Sequence, residues 1–498
     1  MEAAVLIPTL SVVTYDRLFR AFFRIYGKIV AMALAPISMT QVGGRTFRRP
    51  MTSVLICLGI LALLAAIGLR AAIGAGPYGL DQRSVTKAYL NMPDVSSGHA
   101  PRLLSETGAF ADVRTLKVTN GVIPYDLAVS FWSDGAGKSR WISVPEGKIK
   151  FAPTGEWTFP RGTVFVKHFD LATDQTNPQV KRRLETRLLV CDAKGGVYGL
   201  TYKWRPDDMD ADLLNTNLTE AIQIKTATGV RTQLWYYPSP ADCLVCHNSN
   251  AGGVMGVKTR QMNRDLAYPT GITDNQLRAW NHLGLFEPAF AEADLPHFNS
   301  LARADDPNRS LEERARSYLD ANCSQCHRPA GTVATFDARY DTPLAKQGLI
   351  EGSVLLNEGI DHPRIVAPHD IWRSILYMRA SADDALRMPP LAHLQVDTNS
   401  MALLRNWIQS MPGPDVLAPP QMSPPGGNFD RPITVTLLGD PGAEIRFTMD
   451  GTLPTRSDLL YEKPLELTGP TILRARTFQP DHLRSIVSQE VYVINQKP

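Results

Sequence analysis

The chain has 498 residues, of which 44% are hydrophobic and 20% are charged, and its formal net charge is +3. This length exceeds one ordinary hydrophobic core and predicts roughly three domains, while the apolar content excludes a disordered chain. The small net charge, without a long run of Lys or Arg, argues against nucleic-acid binding.

An uncharged apolar segment near the N-terminus is the first predicted element. Residues 54–69 carry no charge, Arg45, Arg48 and Arg49 precede them, and small residues follow. This order is typical of a secretory signal. We expect the N-terminal extension 1–76 to contain either a signal peptide or a single-helix membrane anchor, with a buried core helix as the plainer alternative.

The charges around this segment also predict a location. Positive charge favours the cytoplasmic side of an apolar segment, so the bulk of the chain is expected outside the cytoplasm. We predict a periplasmic protein, or an outward-facing protein anchored to the membrane of a bacterium. Translation from Met39 or Met51 would leave a shorter region before the segment.

A β-rich domain is predicted next. Residues 77–107 are polar and rich in turn formers, which indicates a linker. Over residues 108–272, runs of β-branched and aromatic residues such as GTVFVKHFDL and GVYGLTYKW alternate with Gly, Pro, Asp and Asn turns. The pattern predicts strands that lead into a cysteine motif.

Two copies of Cys-x-x-Cys-His, 80 residues apart, occupy the middle of the chain. Their residues are Cys243, Cys246 and His247 in the first copy and Cys323, Cys326 and His327 in the second. With 6 Cys and 10 His in 498 positions, chance alone predicts about 0.0015 copies. The two copies therefore indicate a shared chemical role and not a coincidence.

Three chemistries use such cysteines. Both thiols can hold a c-type haem covalently while the adjacent His binds its iron, which explains every residue of the motif and requires export. A zinc site built from two Cys-x-x-Cys pairs leaves the repeated His unexplained. A redox dithiol expects a βαβ context that the second motif lacks. We predict two c-type haems.

The pattern becomes helical over residues 273–411. Thr273–Leu283 begins with a plausible cap, and Ser310 with Glu313 forms a capping box before a helix that runs into the second motif. Apolar residues at helical spacing predict two more helices, Asp370–Ala380 and Asp397–Gln409.

The proline-rich stretch 412–425 predicts a stiff spacer, and the short alternating strands of 426–498 predict a small β-sandwich. The predicted fold class is therefore multidomain α+β, with a β-rich haem domain, an α-helical domain and a C-terminal sandwich.

Residues 310–410 resemble a class I cytochrome c domain, through the helix before the second motif, the later helices and the loop Arg387-Met388-Pro389-Pro390. The resemblance implies that Met388 is the distal iron ligand opposite His327. A loop methionine packed on the core is the plainer interpretation of Met388. A His/Met iron suits electron transfer.

The first motif lacks an evident distal ligand. Met255 and Met262 follow it, and His168 lies in the preceding β region. Each of them is a candidate, with a structural role as the plainer alternative. An open iron position would permit ligand binding or peroxide chemistry.

Residues 108–411 as a whole resemble a family of largely uncharacterised bacterial diheme c-type cytochromes, through stretches such as VIPYDLAVSFWSDGAGKSRWISVP, RRLETRLLV and YPSPADCLVCHN. The resemblance implies electron transfer with a redox partner, such as a dehydrogenase or a membrane electron-transfer complex. A diheme peroxidase-like enzyme and a polymer-binding protein with accessory haems are the alternatives.

The C-terminal residues Ser423–Ile494 resemble the Ig-like domain at the C-terminus of chitobiase-type proteins, through GAEIRFTMDGTLPT. Such a domain implies an accessory role, either structural or in contact with carbohydrate.

Overall fold

The computed structural model describes residues 77–331, 335–391 and 393–495. The predicted signal or anchor segment, residues 54–69, lies outside this part of the chain. Within it, no helix has both the length and the apolar character that a membrane span requires.

Strands dominate the chain before the first motif, as its sequence pattern predicts. In chain order they are β1 (Phe110–Asp112), β2 (Lys117–Val118), β3 (Ile123–Tyr125), β4 (Gly137–Ser143), β5 (Ile149–Lys150), β6 (Val164–Ala172), β7 (Lys181–Cys191), β8 (Val197–Trp204), β9 (Ala211–Leu214), β10 (Leu218–Thr226) and β11 (Gly229–Tyr237). The largest sheet among the described residues is antiparallel, in the order β3-β4-β6-β7-β8-β9, and β10 and β11 form a hairpin.

The two faces of this central sheet are covered by different parts of the chain, because successive side chains of a strand point to opposite faces. Val164 and Val166 face a core that includes Leu90 and Leu104, from the stretch expected as a linker. Phe165, on the opposite face, belongs to a second core with Trp280. That second face also carries the candidate site.

Short elements connect the sheet to the second motif. They are α1 (Pro240–Cys246), α2 (Thr259–Met262), β12 (Asp265–Ala267), β13 (Thr273–Asn275), α3 (Gln276–His282) and β14 (Phe286–Glu287). Four 3₁₀ turns lie at Leu104–Thr107, Ser249–Ala251, Glu292–His297 and Leu344–Lys346.

The prediction of a helical cytochrome c domain over 273–411 is wrong, and with it that part of the predicted fold class. Besides α3, the helices in the described part of this range are α4 (Leu311–Asn322), α5 (Ile375–Ser381) and α6 (Thr398–Gln409), and the longest have 12 residues. Turns fill the stretch between α4 and α5, where Gly348, Gly352, Pro363 and Pro368 oppose a helix.

The start of α5 shows how local side-chain bonding overrides a helical pattern. The sequence predicts a helix from Asp370, but the Asp370 carboxylate accepts the backbone N–H groups of Trp372 and Arg373 at 2.9 and 3.0 Å. Such an Asx turn competes with helix formation. The helix therefore begins at Ile375.

The C-terminal part forms the predicted Ig-like β-sandwich. Its strands are β15 (Gln421–Ser423), β16 (Gly427–Phe429), β17 (Ile433–Leu438), β18 (Glu444–Thr448), β19 (Leu459–Leu460), β20 (Leu465–Leu467), β21 (Thr471–Phe478) and β22 (Ser488–Ile494). They form two sheets, β15-β17-β20 and β16-β22-β21-β18-β19. Val435, Leu473 and Tyr492 are fully buried in the core.

Candidate functional site

The first cysteine motif lies on α1, a helix of 7 residues held by its N-terminal cap. The Ser239 hydroxyl accepts the N–H of Asp242 at 3.2 Å, and the Asp242 carboxylate accepts the Ser239 N–H at 2.9 Å. The Tyr236 hydroxyl donates to the same carboxylate at 2.8 Å. This cap fixes Cys243 and Cys246 one helical turn apart.

His247 follows the helix with its ring in a defined orientation. Its Nδ1 lies 2.8 Å from the carbonyl oxygen of Gly253 and therefore carries the proton. Gly252 and Gly253 have φ values of 74° and 73°, which a glycine adopts without strain, and their turn presents this carbonyl. Burial lowers the pKa of His247 to about 4. The Nε2 lone pair is thus free, as in histidines that bind a metal.

Cys243 lies against a glycine of the central sheet. A Cβ atom on Gly199, in β8, would stand 2.7 Å from the Cβ and 2.9 Å from the Sγ of Cys243. Atoms do not approach so closely, so a larger residue would displace the helix. Glycine at this position lets the first motif pack directly on the sheet.

The second motif follows α4, whose start the capping box predicts correctly. The helix begins after Ser310, whose hydroxyl accepts the Glu313 N–H at 3.2 Å. His327 then stacks on Phe336 with ring centroids 4.3 Å apart. Burial, together with the charge of Arg379, lowers the pKa of His327 to about 4. Its Nδ1 is buried without a hydrogen-bond partner among the described residues.

The fold brings the two motifs into contact. The thiols of Cys246 and Cys326 lie close enough to interact, and this interaction lowers the pKa of Cys326 to about 7 and raises that of Cys246. Beyond the cysteines, the side chain of Asn250 donates to the carbonyl of Ala330, and Arg328 donates to the carbonyl of Asn250 at 3.0 Å. The second cysteine of each motif therefore faces the other motif.

A buried ion network holds this arrangement. Arg260 Nη2 lies 2.7 Å from Asp320 Oδ2, and Lys258 Nζ lies 3.3 Å from Asp320 Oδ1. Glu156 extends the network to Arg328 at 2.8 Å. Because Asp320 lies three residues before Cys323, and Lys258 and Arg260 follow the first motif, the network links both motifs directly.

A cavity opens beside the first motif. The volume inside it that water can occupy is about 160 Å³, and one side is open. Its wall contains all three residues of the first motif and, from the second, Ser324 and Gln325. Apolar side chains supply much of the remainder, among them Tyr125, Leu127, Val129, Phe131, Phe165 and Val254.

The three candidate distal ligands of the first motif occupy different places. Met255 lines the cavity. Met262 is fully buried in the core that contains Trp280. His168 is fully buried, and its ring nitrogens lie 2.9 Å from the Thr186 hydroxyl and 3.1 Å from an Asp170 carboxylate oxygen. Met255 is thus the candidate that the structure brings to the first motif.

Met388 lies in a loop connected to the second motif through Arg379. The Met388 N–H donates to the Arg379 carbonyl at 2.8 Å, and the Arg379 charge acts on His327. The sequence analysis missed His393, which is 3% exposed and has no partner for Nδ1 among the described residues. Its ring also bonds the Met388 backbone. Its position five residues after Met388 was its only sequence signal.

These residues fit covalent haem attachment. Each motif presents two free thiols and a histidine whose environment keeps it neutral, as an iron ligand must be. A zinc site made of both cysteine pairs needs four ligands together. Within the described residues, no group of three or more His, Cys, Asp or Glu could hold a metal ion.

Comparison with known proteins concerns the C-terminal part. Residues 424–489 match the family model of the chitobiase/beta-hexosaminidase C-terminal domain. No curated protein matches the chain. The C-terminal part is thus similar to this domain, in agreement with its predicted fold.

Proposed function

We propose that the chain is an exported c-type haem protein that transfers electrons through two neighbouring, covalently bound haems. The observation that carries the proposal is the contact between the two Cys-x-x-Cys-His motifs. They are 80 residues apart in the sequence, yet Arg328, just after the second motif, donates to the carbonyl of Asn250, just after the first, at 3.0 Å. The thiols of Cys246 and Cys326 are also close enough for each to shift the pKa of the other. Groups attached at these two cysteines would be neighbours.

The cysteines would attach the haems, and the histidines would bind their irons. Cys243 and Cys246 would hold one haem and Cys323 and Cys326 the other, through thioether bonds to the vinyl groups of the porphyrin. The haem iron supplies one-electron redox chemistry. His247 offers Nε2 in a position fixed by the carbonyl of Gly253.

The far side of each iron is a separate part of the proposal. We propose Met388 at the second motif, because its loop adjoins the residues around His327. At the first motif, Met255 lines the cavity together with His247. His393 competes with Met388, since its free Nδ1 is also a ligand atom.

Haem attachment is tested on the full chain produced in a bacterium that matures c-type cytochromes. We expect two covalent haems per chain, measured by haem staining after denaturation and by a pyridine haemochrome assay. Cys243→Ala with Cys246→Ala should leave one haem. The matched control is Cys191→Ala, a buried cysteine outside both motifs, which should leave two. A chain without covalent haem, or with stoichiometric zinc, refutes the proposal.

Ligand identity is tested on the same haem-loaded chain. Met388→Ala should remove a methionine–iron charge-transfer band of the second haem, whereas His393→Ala should leave it. If the native chain lacks this band, and His393→Ala but not Met388→Ala turns the second haem high-spin, the position belongs to His393. The pair of variants also separates ligation from loop packing, since the two side chains share one loop.

The cavity beside His247 favours one alternative, a diheme peroxidase-like enzyme. It leaves space on the side of the central sheet, where an exogenous ligand would approach an open iron. Cyanide binding and reaction with peroxide by the loaded protein would support this function. A first haem that stays low-spin and inert to both supports the electron carrier.

The remaining parts of the proposal concern location and partners. We propose a periplasmic or membrane-anchored protein that exchanges electrons with a redox partner protein. The C-terminal sandwich is proposed to act as a structural domain. Its Arg476 and Arg484 lie 3.2 and 3.3 Å from Asp361, in the preceding part of the chain, which is the kind of contact that a fixed domain makes.

A further inference from the structure

Three positively charged residues stand side by side on the cavity face of the central sheet. The strand register pairs Arg140 of β4 with Lys167 of β6, and Lys167 with Arg187 of β7. All three line the cavity beside the first motif. Like charges directly opposite each other in neighbouring strands destabilise a sheet. This row therefore requires negative charge close by.

Arg140 and Arg187, the two outer members of the row, each have a carboxylate partner. Arg140 donates to Asp126 at 2.5 Å. Arg187 donates to both carboxylate oxygens of Glu185, at 2.9 and 2.5 Å. The arginines are thus compensated within the protein, and each pair remains in place without any ligand.

Lys167, in the middle of the row, lacks such a partner. Among the described residues, no carboxylate lies within ion-pair distance of its ammonium group, which stands 5.0 Å from the centre of the Phe169 ring. Lys138 lies nearby, 5.8 Å from the same ring, and donates to the Ala136 carbonyl at 3.4 Å. Lys167 is half-buried, and desolvation together with the charges of Arg140, Lys138 and Arg187 lowers the pKa of its ammonium group well below the usual value. A carboxylate placed beside it would favour the charged form.

We propose that Lys167, flanked by Arg140 and Arg187, binds a carboxylate of a ligand that occupies the cavity. A carboxylate accepts charge-assisted hydrogen bonds from ammonium and guanidinium groups, and these are stronger than bonds between neutral groups. Apolar side chains elsewhere in the cavity wall, among them Leu127, Val129 and Phe131, suit the apolar body of such a ligand.

Two kinds of molecule could provide the carboxylate that Lys167 binds. One is a propionate of a haem attached at the first motif, and this source rests on the proposed function. The other is a free organic acid that enters from the open side of the cavity. Both place a carboxylate at Lys167, so the experiment needs one test for the site and one for the source.

The site is tested on the full chain in its haem-free form, produced without haem maturation. Malonate, a small dicarboxylate, should raise the thermal unfolding temperature above that in chloride of equal ionic strength. Lys167→Gln should lose this increase and, without malonate, be at least as stable as the native protein, because the like-charge repulsion is gone. Lys167→Arg, which keeps the charge, should retain the response.

The matched control is Lys181→Gln, an exposed lysine on β7, which should respond to malonate as the native protein does. The inference is overturned if malonate stabilises the native chain no more than chloride does. It is also overturned if Lys167→Gln responds as strongly as the native protein. Should Lys167→Gln fail to fold, the native and Lys167→Arg titrations still decide the outcome.

The source is tested on the haem-loaded chain. If a propionate occupies the site, the loaded chain no longer responds to malonate, and Lys167→Gln lowers the midpoint potential of the first haem, because a positive charge near the iron is removed. If a free acid is the ligand, the loaded chain still responds. A chain that binds no haem refutes the proposed function, whereas the malonate titration remains a valid test of Lys167.

Discussion

Replacing Asp320 by asparagine removes a charge from the buried network that links the two motifs. Both carboxylate oxygens are engaged: Oδ2 accepts the N–H groups of Arg260 at 2.8 Å and Tyr340 at 2.9 Å, and Oδ1 lies 3.3 Å from Lys258. The side chains of Asp320, Arg260 and Lys258 are 0%, 2% and 6% exposed. The variant would keep the shape of the site and leave Lys258 poorly compensated, whereas Arg260 would keep its ion pair with Asp341 at 2.5 Å.

The loss of stability depends on the charge that stays buried without a partner after the substitution. Removing one partner of a buried ion pair costs about 3–5 kcal/mol, because the remaining charge is buried without compensation. Glu156 lies 3.6 Å from Lys258 and compensates part of that charge. We therefore expect Asp320→Asn to lower the free energy of unfolding by roughly 3 kcal/mol.

The same carboxylate predicts a loss of stability in acid. Burial alone would raise the pKa of Asp320, but Lys258 and Arg260 outweigh it and lower that pKa to about 2. A lowered pKa contributes stability that is complete above the ordinary value for aspartate and is lost as the pH falls through about 2. This shift corresponds to roughly 2 kcal/mol.

Urea unfolding at pH 7 and in the acid range measures both effects. Asp320→Asn should lower the midpoint at pH 7 and show a smaller further loss in acid than the native protein. The control is Asp305→Asn, whose partner Arg303 is exposed and whose effect should stay below about 1 kcal/mol. The reasoning is refuted if the two variants have equal midpoints at pH 7, or if the acid loss is unchanged by Asp320→Asn.

Three further predictions concern other contacts. The Cβ of an alanine at position 199 would stand 2.7 Å from the Cβ of Cys243. Gly199→Ala should therefore destabilise the chain by about 1–3 kcal/mol through overpacking and reduce covalent haem at the first motif. Unchanged haem content and stability would contradict this prediction. Ser310→Ala should cost about 1 kcal/mol through loss of a helix cap, measured by urea unfolding, with no change in haem content. Asp361→Asn should speed proteolysis between residues 411 and 418, because the buried Arg476 loses an ion partner at 3.2 Å. An unchanged cleavage rate would show that this contact does not hold the C-terminal domain.

Matched variants sharpen two of these tests. Gly137→Ala is the control for Gly199, since its Cβ would meet its nearest neighbour at an ordinary 3.7 Å. Asp430→Asn, an exposed aspartate in the C-terminal domain, is the control for Asp361. Neither control should change stability by more than about 0.5 kcal/mol, as expected of surface substitutions.

Local patterns predicted much of the secondary structure. The predicted strand ITVTLL is β17, Ile433–Leu438, without a change at either end. The capping box at Ser310 marks the true start of α4. The predicted helix Asp397–Gln409 corresponds to α6, Thr398–Gln409, with Asp397 as its N-cap. These features depend on side chains within a few positions of each other, where the period of the pattern decides the outcome.

The helical domain was mispredicted because short local patterns were joined into one tertiary unit. Each amphipathic run does contain a helix, but α3 and α5 have only 7 residues each. In the described residues between α4 and α5, glycines, prolines and the Asx turn at Asp370 favour turns over a helix. A helix shorter than about 12 residues gains most of its stability from packing, which a sequence pattern does not specify.

The sequence by itself determined the chemistry of this protein: two Cys-x-x-Cys-His motifs, an apolar N-terminal segment and a C-terminal Ig-like domain. The tertiary structure alone decided that Cys246 meets Cys326, that Asp320 ties the two motifs together, and that Lys167 stands between two arginines. Each of these contacts joins residues from separate elements, so it depends on strand register and on long-range packing. Residue identity is local, whereas proximity is a property of the whole fold.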